Sequence, residues 1–134
     1  MLLPLGCGGG GPTSPTPPPD TRIVETFAGS LCGFDYAQKF GGCAFFATYD
    51  ISVTAQGTLD AAASWPDARV YFWLELKDER WDDITMSHNT AGPEATLRAQ
   101  VTSQKYHLSI NRTGYVNGGL DKGPVAYQLT VRHP

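Results

Sequence analysis

Residues 45–55 read "FFATYDISVTA". Phe45, Ala47, Tyr49, Ile51 and Val53 fall on one side of an extended chain, and Phe46, Thr48, Asp50, Ser52 and Thr54 on the other. Successive side chains of a strand point to opposite faces, so a period of two with one apolar face marks a strand half-buried against a core. The same pattern recurs in both directions. "TLDAAASW" (58–65) sets Leu59, Ala61, Ala63 and Trp65 against Thr58, Asp60, Ala62 and Ser64. "VYFWLELK" (70–77) sets Val70, Phe72, Leu74 and Leu76 against Tyr71, Trp73, Glu75 and Lys77. "ATLRAQV" (95–101), "YHLSINR" (106–112) and "VAYQLTVR" (125–132) follow suit, the last with Val125, Tyr127, Leu129 and Val131 inward.

Turn-forming stretches separate these runs: "AQGT", "WPDA", "TAGP" and "RTGYVNGGLDKGP". With "VETFAGSL" and the short "DITMS" there are about eight candidate strands, and regular short strands between turns predict an antiparallel sandwich or barrel. A helix over "ARVYFWLELKDERW" is the one rival. Its apolar residues hold no three–four stripe, and Val, Tyr, Phe and Trp favour strands.

The chain has 134 residues, with 10 Lys and Arg against 13 Asp and Glu, a net charge of −3. Its basic residues are scattered, which argues against nucleic acid, whose phosphates call for clustered cations. No apolar run reaches the length of a transmembrane helix. Three expected regions follow: a signal-like segment over residues 1–7, a Gly- and Pro-rich linker over 8–22, and a β-sandwich domain over 23–134.

The front end, "MLLPLGCGGGGPTSPTPPPD", carries the localisation reading. "LLPLGC" has the chemistry of the end of a bacterial lipoprotein signal, apolar residues and a small residue before the cysteine that receives the lipid. Gly6 and Cys7 fit that pattern, whereas Pro4 and Leu5 depart from it. The segment is also short and lacks a basic start. Gly8 to Pro19, almost wholly Gly, Pro, Ser and Thr, suits an extended, semi-rigid and disordered tether. The expectation is a module lipid-anchored through Cys7 on the bacterial cell envelope, periplasmic or extracellular. The competing reading is a chance Gly-Cys pair in an ordinary tail.

Three cysteines invite one pair and one residue with a separate job. Cys32 and Cys43 flank "CGFDYAQKFGGC", read as a glycine-containing loop between two strands. In an oxidising compartment a disulfide there closes a short loop. Otherwise the two are unrelated buried thiols.

The strands, taken together, resemble the bacterial pre-peptidase C-terminal domain, a family related to the collagen-binding modules of secreted collagenases. The residues that carry the resemblance are "TFAGSL", "FFATYDISVTAQGTLDAAASW" and the closing "VAYQLTV", within residues 24 to 132. It implies a jelly-roll-like β-sandwich that serves as an accessory domain of secreted or surface proteins. Where the family carries paired aspartates, this chain reads "WPDARVYFWLEL". Asp67 stands for the first, and Arg69 occupies the place of the second. Calcium needs several converging oxygen ligands, so this exchange makes a calcium site doubtful, and no cofactor is expected.

Few residues point to chemistry. Asp78, Glu79, Asp82 and Asp83 in "KDERWDD" are weak cation candidates, read in preference as a solvated hairpin, since adjacent Asp82 and Asp83 point apart on an extended chain. His88, His107 and His133 are isolated, with His107 on the outer face of its strand beside Ser109. Ser64 and Ser87 lack a nucleophile-elbow context. Cys32 with His88 or His107 has no local support as a nucleophilic pair. Outward aromatics are the better clue: Tyr71 and Trp73 share one strand face with Trp81 just beyond, a candidate platform for sugar faces or a partner's apolar side chains, unless a loop or second sheet covers them. The leading expectation is a non-enzymatic module binding protein or polysaccharide. The alternative is a structural stabiliser of an envelope complex with no ligand of its own. A hydrolase would need a polar pocket with a His–carboxylate pair.

Overall fold

The computed structural model describes residues 20–87, 93–115 and 123–134. Cys7, the tether up to Pro19 and His88 lie outside the described residues. Eight strands and one short helix follow in order: β1 (Ile23–Leu31), α1 (Phe34–Phe40), β2 (Phe46–Val53), β3 (Gly57–Ser64), β4 (Val70–Lys77), β5 (Asp83–Met86), β6 (Glu94–Val101), β7 (Gln104–Tyr115) and β8 (Val125–His133).

The pairing is nested. β1 lies against β8, β2 against β7, β3 against β6 and β4 against β5, all antiparallel, as if one long hairpin had been rolled up. Lateral contacts of β3 with β8 and of β4 with β7 complete two four-stranded sheets, ordered β1-β8-β3-β6 and β2-β7-β4-β5. That order is a jelly roll.

The alternation read from the sequence matches the burial. Leu59, Ala61, Ala63 and Trp65 from one sheet face Val70, Phe72, Leu74 and Leu76 from the other, and all are buried. The Phe72 ring stacks on Trp65 at 4.7 Å and meets Tyr127 edge-on at 5.8 Å. Trp65 Nε1 donates to the Val70 carbonyl at 3.0 Å, so the indole is buried without losing its hydrogen bond. At the β1–β2 side Phe27 stacks on Tyr49 at 4.2 Å, and the Tyr49 and Tyr127 hydroxyls are hydrogen-bonded to each other. Burial, then that hydrogen bond, raises the Tyr127 phenol well above its usual value.

Two features depart from the sequence reading. Cys32–Cys43 encloses a helix where a loop was expected. α1 has no buried residue and no side-chain cap, and it stops at Gly41, whose φ of +68° suits glycine and whose N–H reaches the Ala37 carbonyl at 3.0 Å. A seven-residue segment, "FDYAQKF", with aromatics at both ends shows no amphipathic stripe, so period alone does not reveal it. The second feature is Arg112, one of the scattered cations, which sits inward on β7 at 1% exposure. Its Nη1 donates to the carbonyls of Leu31 and Gly123, tying the end of β1 to the approach of β8.

The register gives the sandwich two distinct poles. Ile23 faces His133, so the first described residues and the C-terminal Pro134 share one pole, where Pro134 also packs against Gly57. Leu31 faces Val125 at the other pole, where α1 and the start of β2 lie.

Candidate functional site: an aromatic pole

The pole away from Ile23 and Pro134 is built around a disulfide. Cys32 follows β1 directly, is fully buried, and donates its N–H to the Ala44 carbonyl at 2.8 Å. It is bonded to Cys43 with a Cα–Cα distance of 6.0 Å, and the closed segment carries α1 outward.

With its ends held this way, the segment displays rings. Phe34 meets Phe45 edge-on at 5.0 Å, Phe45 meets Phe46 at 5.2 Å, and Tyr36 tilts against Phe40 at 4.7 Å. Lys39 Nζ lies 5.4 Å from the Phe40 ring centre. Tyr36 also packs against Gly123, whose φ of +107° and close ring contact leave no place for a side chain. Phe34, Phe40 and Phe46 remain 50%, 63% and 48% exposed. A half-exposed phenylalanine contributes less to folding than an enclosed one, and contiguous exposed apolar patches mark interaction sites.

The patch continues onto the outer face of the β2-β7-β4-β5 sheet. Phe46 faces Asn111, and Asn111 faces Trp73, so the three form one row across three strands. Trp73 and its neighbour Tyr71 are half-buried. Between the two rings, Asn111 Nδ2 is buried without a hydrogen-bond acceptor among the described residues.

Trp81 lies elsewhere. It belongs to the β4–β5 hairpin, near the pole of Ile23 and Pro134, and lies flat on His107 with ring centres 3.5 Å apart and planes 4° from parallel. The structure thus keeps Tyr71 and Trp73 together and separates Trp81 from them. His107 is on the outer face as expected, yet 6% exposed, because Trp81 covers it; its Nδ1 lies 2.7 Å from Asp50 Oδ1. Trp81 adopts a φ of +68°, unfavourable for a bulky residue, so the stack holds it against local backbone preference. Trp81→Ala is therefore expected to lower stability by about 1 kcal/mol, the worth of one ring pair. Thermal unfolding reads this effect.

The remaining candidates serve local structure. Asp78 Oδ1 accepts the N–H groups of Arg80 at 2.8 Å and Asp82 at 3.0 Å, which shapes the hairpin tip. Asp83 pairs with Lys77 at 2.6 Å. Asp67 takes Arg69 at 3.0 Å on each carboxylate oxygen, and this guanidinium holds the carboxyl below its usual range. On the outer face of the other sheet, Arg98 and then Arg22 hold Asp60 low in the same way. Among the described residues no three His, Cys, Asp or Glu converge as metal ligands would. His133 pairs with Glu25 at 2.7 Å, and Ser87 Oγ accepts the Leu74 N–H at 2.8 Å. Neither His–carboxylate pair is hydrogen-bonded to a serine or cysteine among the described residues, so neither forms a nucleophile–base pair.

The aromatic run inside the disulfide is the part of the site that sequence reasoning missed. Its signal was present as four aromatics, Phe34, Tyr36, Phe40 and Phe45, in twelve residues around a cysteine pair. No family model matches the chain. No curated protein matches it either. Among solved structures, the pre-peptidase C-terminal domain of a collagenase from Bacillus anthracis superimposes with a TM-score of 0.59 at 18% identity, covering 81% of this chain and 89% of that one. At that identity the likeness is one of fold. This chain has the β-sandwich fold of a pre-peptidase C-terminal domain.

Proposed function

We propose that this chain is a non-catalytic accessory module that binds a protein or polysaccharide through the aromatic pole. The observation that carries the reading is α1, a helix with no buried residue, held by a disulfide and presenting Phe34 and Phe40 to solvent. Aromatic rings fixed in this way offer apolar area at low entropic cost, which suits sugar faces and apolar side chains alike. The neighbour's place in a collagenase supports an accessory role and makes collagen one reasonable probe. Lipid attachment at Cys7, residues 8–22 as tether and residence on the bacterial cell envelope complete the proposal. They rest on the sequence of the front end, and mass analysis of the protein purified from membranes tests them by detecting or failing to detect acyl chains on Cys7.

The binding reading is tested with the Phe34→Ala/Phe40→Ala double variant. The two rings are largely exposed, so stability is expected to stay within about 1 kcal/mol of the parent. Binding to collagen or to an envelope polysaccharide, whichever the parent binds, is expected to fall at least tenfold, as for hot-spot aromatics. Unchanged affinity contradicts the reading. A parent that binds none of these probes yet co-purifies with one envelope complex favours the purely structural role.

A further inference from the structure

We infer that the outer face of the β1-β8-β3-β6 sheet binds an acidic polysaccharide in which uronate units alternate with neutral sugars. This is a second surface with a ligand of its own, and it does not rest on the reading of the pole. Its charges stand in one row. Arg132 on β8 faces Asp60 on β3, and Asp60 faces Arg98 on β6. Arg22 reaches the same carboxylate from ahead of β1, with Nη1 2.7 Å from Oδ2, and Arg98 Nε lies 2.7 Å from Oδ1. Both oxygens of Asp60 are thereby engaged, and Asp20 is taken up by Arg22 in turn. Arg132 is left with no hydrogen bond or ion pair among the described residues.

Three guanidinium groups thus meet two carboxylates, a local positive excess in a chain whose net charge is −3. Arg132 is exposed and the Arg98 side chain is 73% exposed, so an incoming group reaches both. A planar guanidinium pairs with a carboxylate through two parallel N–H groups, and the excess here calls for one more carboxylate.

The same two arginines line a hollow of about 320 Å³. Ala62 forms its floor, with Thr130 facing Ala62 on one side and Thr96 on the other. With strands about 4.8 Å apart, the two threonines stand about 10 Å from each other. A second hollow shares Thr130 and adds Thr26 and Gln128, and a third shares Gln128 and adds Ser64 and Ala126. Together they make a trough that crosses all four strands, from Arg98 on β6 to Ala28 on β1.

Charged side chains line only the first hollow, which favours a ligand whose carboxylates are spaced by neutral units. Glu94, exposed and facing Ser64, repels a densely charged chain. The exposed apolar side chains of the trough are Ala28, Ala62, Ala126 and Pro66, which offer a peptide no pocket for an anchoring side chain. The hydroxyls of Thr26, Thr96, Thr130 and Ser64 and the Gln128 amide are suited instead to the hydroxyls of a sugar chain.

Calorimetric titration of the full chain with hyaluronan oligosaccharides tests this. The parent is expected to bind them, and carboxyl-reduced hyaluronan at least tenfold more weakly. Arg132→Gln and Arg98→Gln are each expected to weaken binding at least tenfold, with thermal unfolding showing the domain still folded. Arg132→Lys, which keeps the charge but loses the fork, recovers only part of the loss. Ala62→Leu fills the floor, leaves every charge in place and is expected to cost at least tenfold as well. No binding by the parent overturns the inference, as does binding unchanged in Arg132→Gln. Binding unchanged in Ala62→Leu means attraction by surface charge without a trough, and also overturns it. Poly-glutamate bound as tightly as hyaluronan overturns it in favour of an acidic peptide. Loss of hyaluronan binding in the Phe34→Ala/Phe40→Ala variant places this sugar at the pole, which overturns only this inference and leaves the proposed function standing.

Discussion

Phe72→Ala is expected to destabilise the domain by about 3–5 kcal/mol, the range for truncating a fully enclosed aromatic. Phe72 is wholly buried on β4, stacked on Trp65 and edge-on to Tyr127, so it touches both sheets at once. Trp65 is further fixed by its hydrogen bond to the Val70 carbonyl, and Tyr127 by its hydroxyl contact with Tyr49. Neither neighbour is placed to swing into the vacated volume, so most of the cavity persists. Against a total stability of roughly 5–15 kcal/mol for a domain of ordinary size, the loss is about a fifth or more. Denaturant unfolding should show it as a fall in the midpoint, with Phe72→Leu recovering part of it. A loss below about 1 kcal/mol would mean that the two sheets do not meet at this ring.

Removing the disulfide is expected to have the next largest effect. Cys32 and Cys43 are 11 residues apart, and closing a loop of that length stabilises by about 2–3 kcal/mol in the chain-entropy model. The Cys32→Ala/Cys43→Ser variant should then unfold roughly 10 °C lower. The Cys32 position is fully buried, so alanine there avoids adding an unsatisfied hydroxyl. The consequence is larger for function than for the sandwich. α1 buries no side chain and therefore has no core contact to replace the covalent closure. With the bond gone, the rings of Phe34, Tyr36 and Phe40 should lose their fixed arrangement, and binding at the pole should fall with it. Calorimetry with and without reductant measures the first effect, and an unchanged melting temperature on full reduction contradicts it.

Much of this fold was legible because the sandwich has one wet and one dry face along most strands. The β6 residues Ala95, Leu97, Ala99 and Val101 are buried while Glu94, Thr96, Arg98 and Gln100 are exposed, a clean period of two. The nested order was within reach through the likeness of "TFAGSL" and "VAYQLTV" to a known first and last strand, which pair here as β1 with β8. Periodicity failed where burial does not alternate. β7 carries buried side chains on both faces, since Trp81 lies over His107 and Ser109 is covered as well. A stack between residues 26 positions apart leaves no local trace, which is why Trp81 was grouped with Trp73. α1 was hidden for a related reason: its anchoring is covalent and its rings pack on one another, so no stripe of core residues announces it. Arg112 is buried at a position where the alternation calls for an apolar residue, and the Leu31 and Gly123 carbonyls that it serves lie far from it in sequence or outside its own strand.

The pole as the binding surface is tested most directly by mapping amide chemical-shift changes in the labelled full chain as a bound ligand is titrated. The account predicts that the shifts concentrate in residues 32–46 and around Tyr71, Trp73 and Asn111, at one end of the sandwich. Shifts confined to the hairpin of Trp81, or to the outer face of the β1-β8-β3-β6 sheet around Asp60 and Arg98, would contradict it.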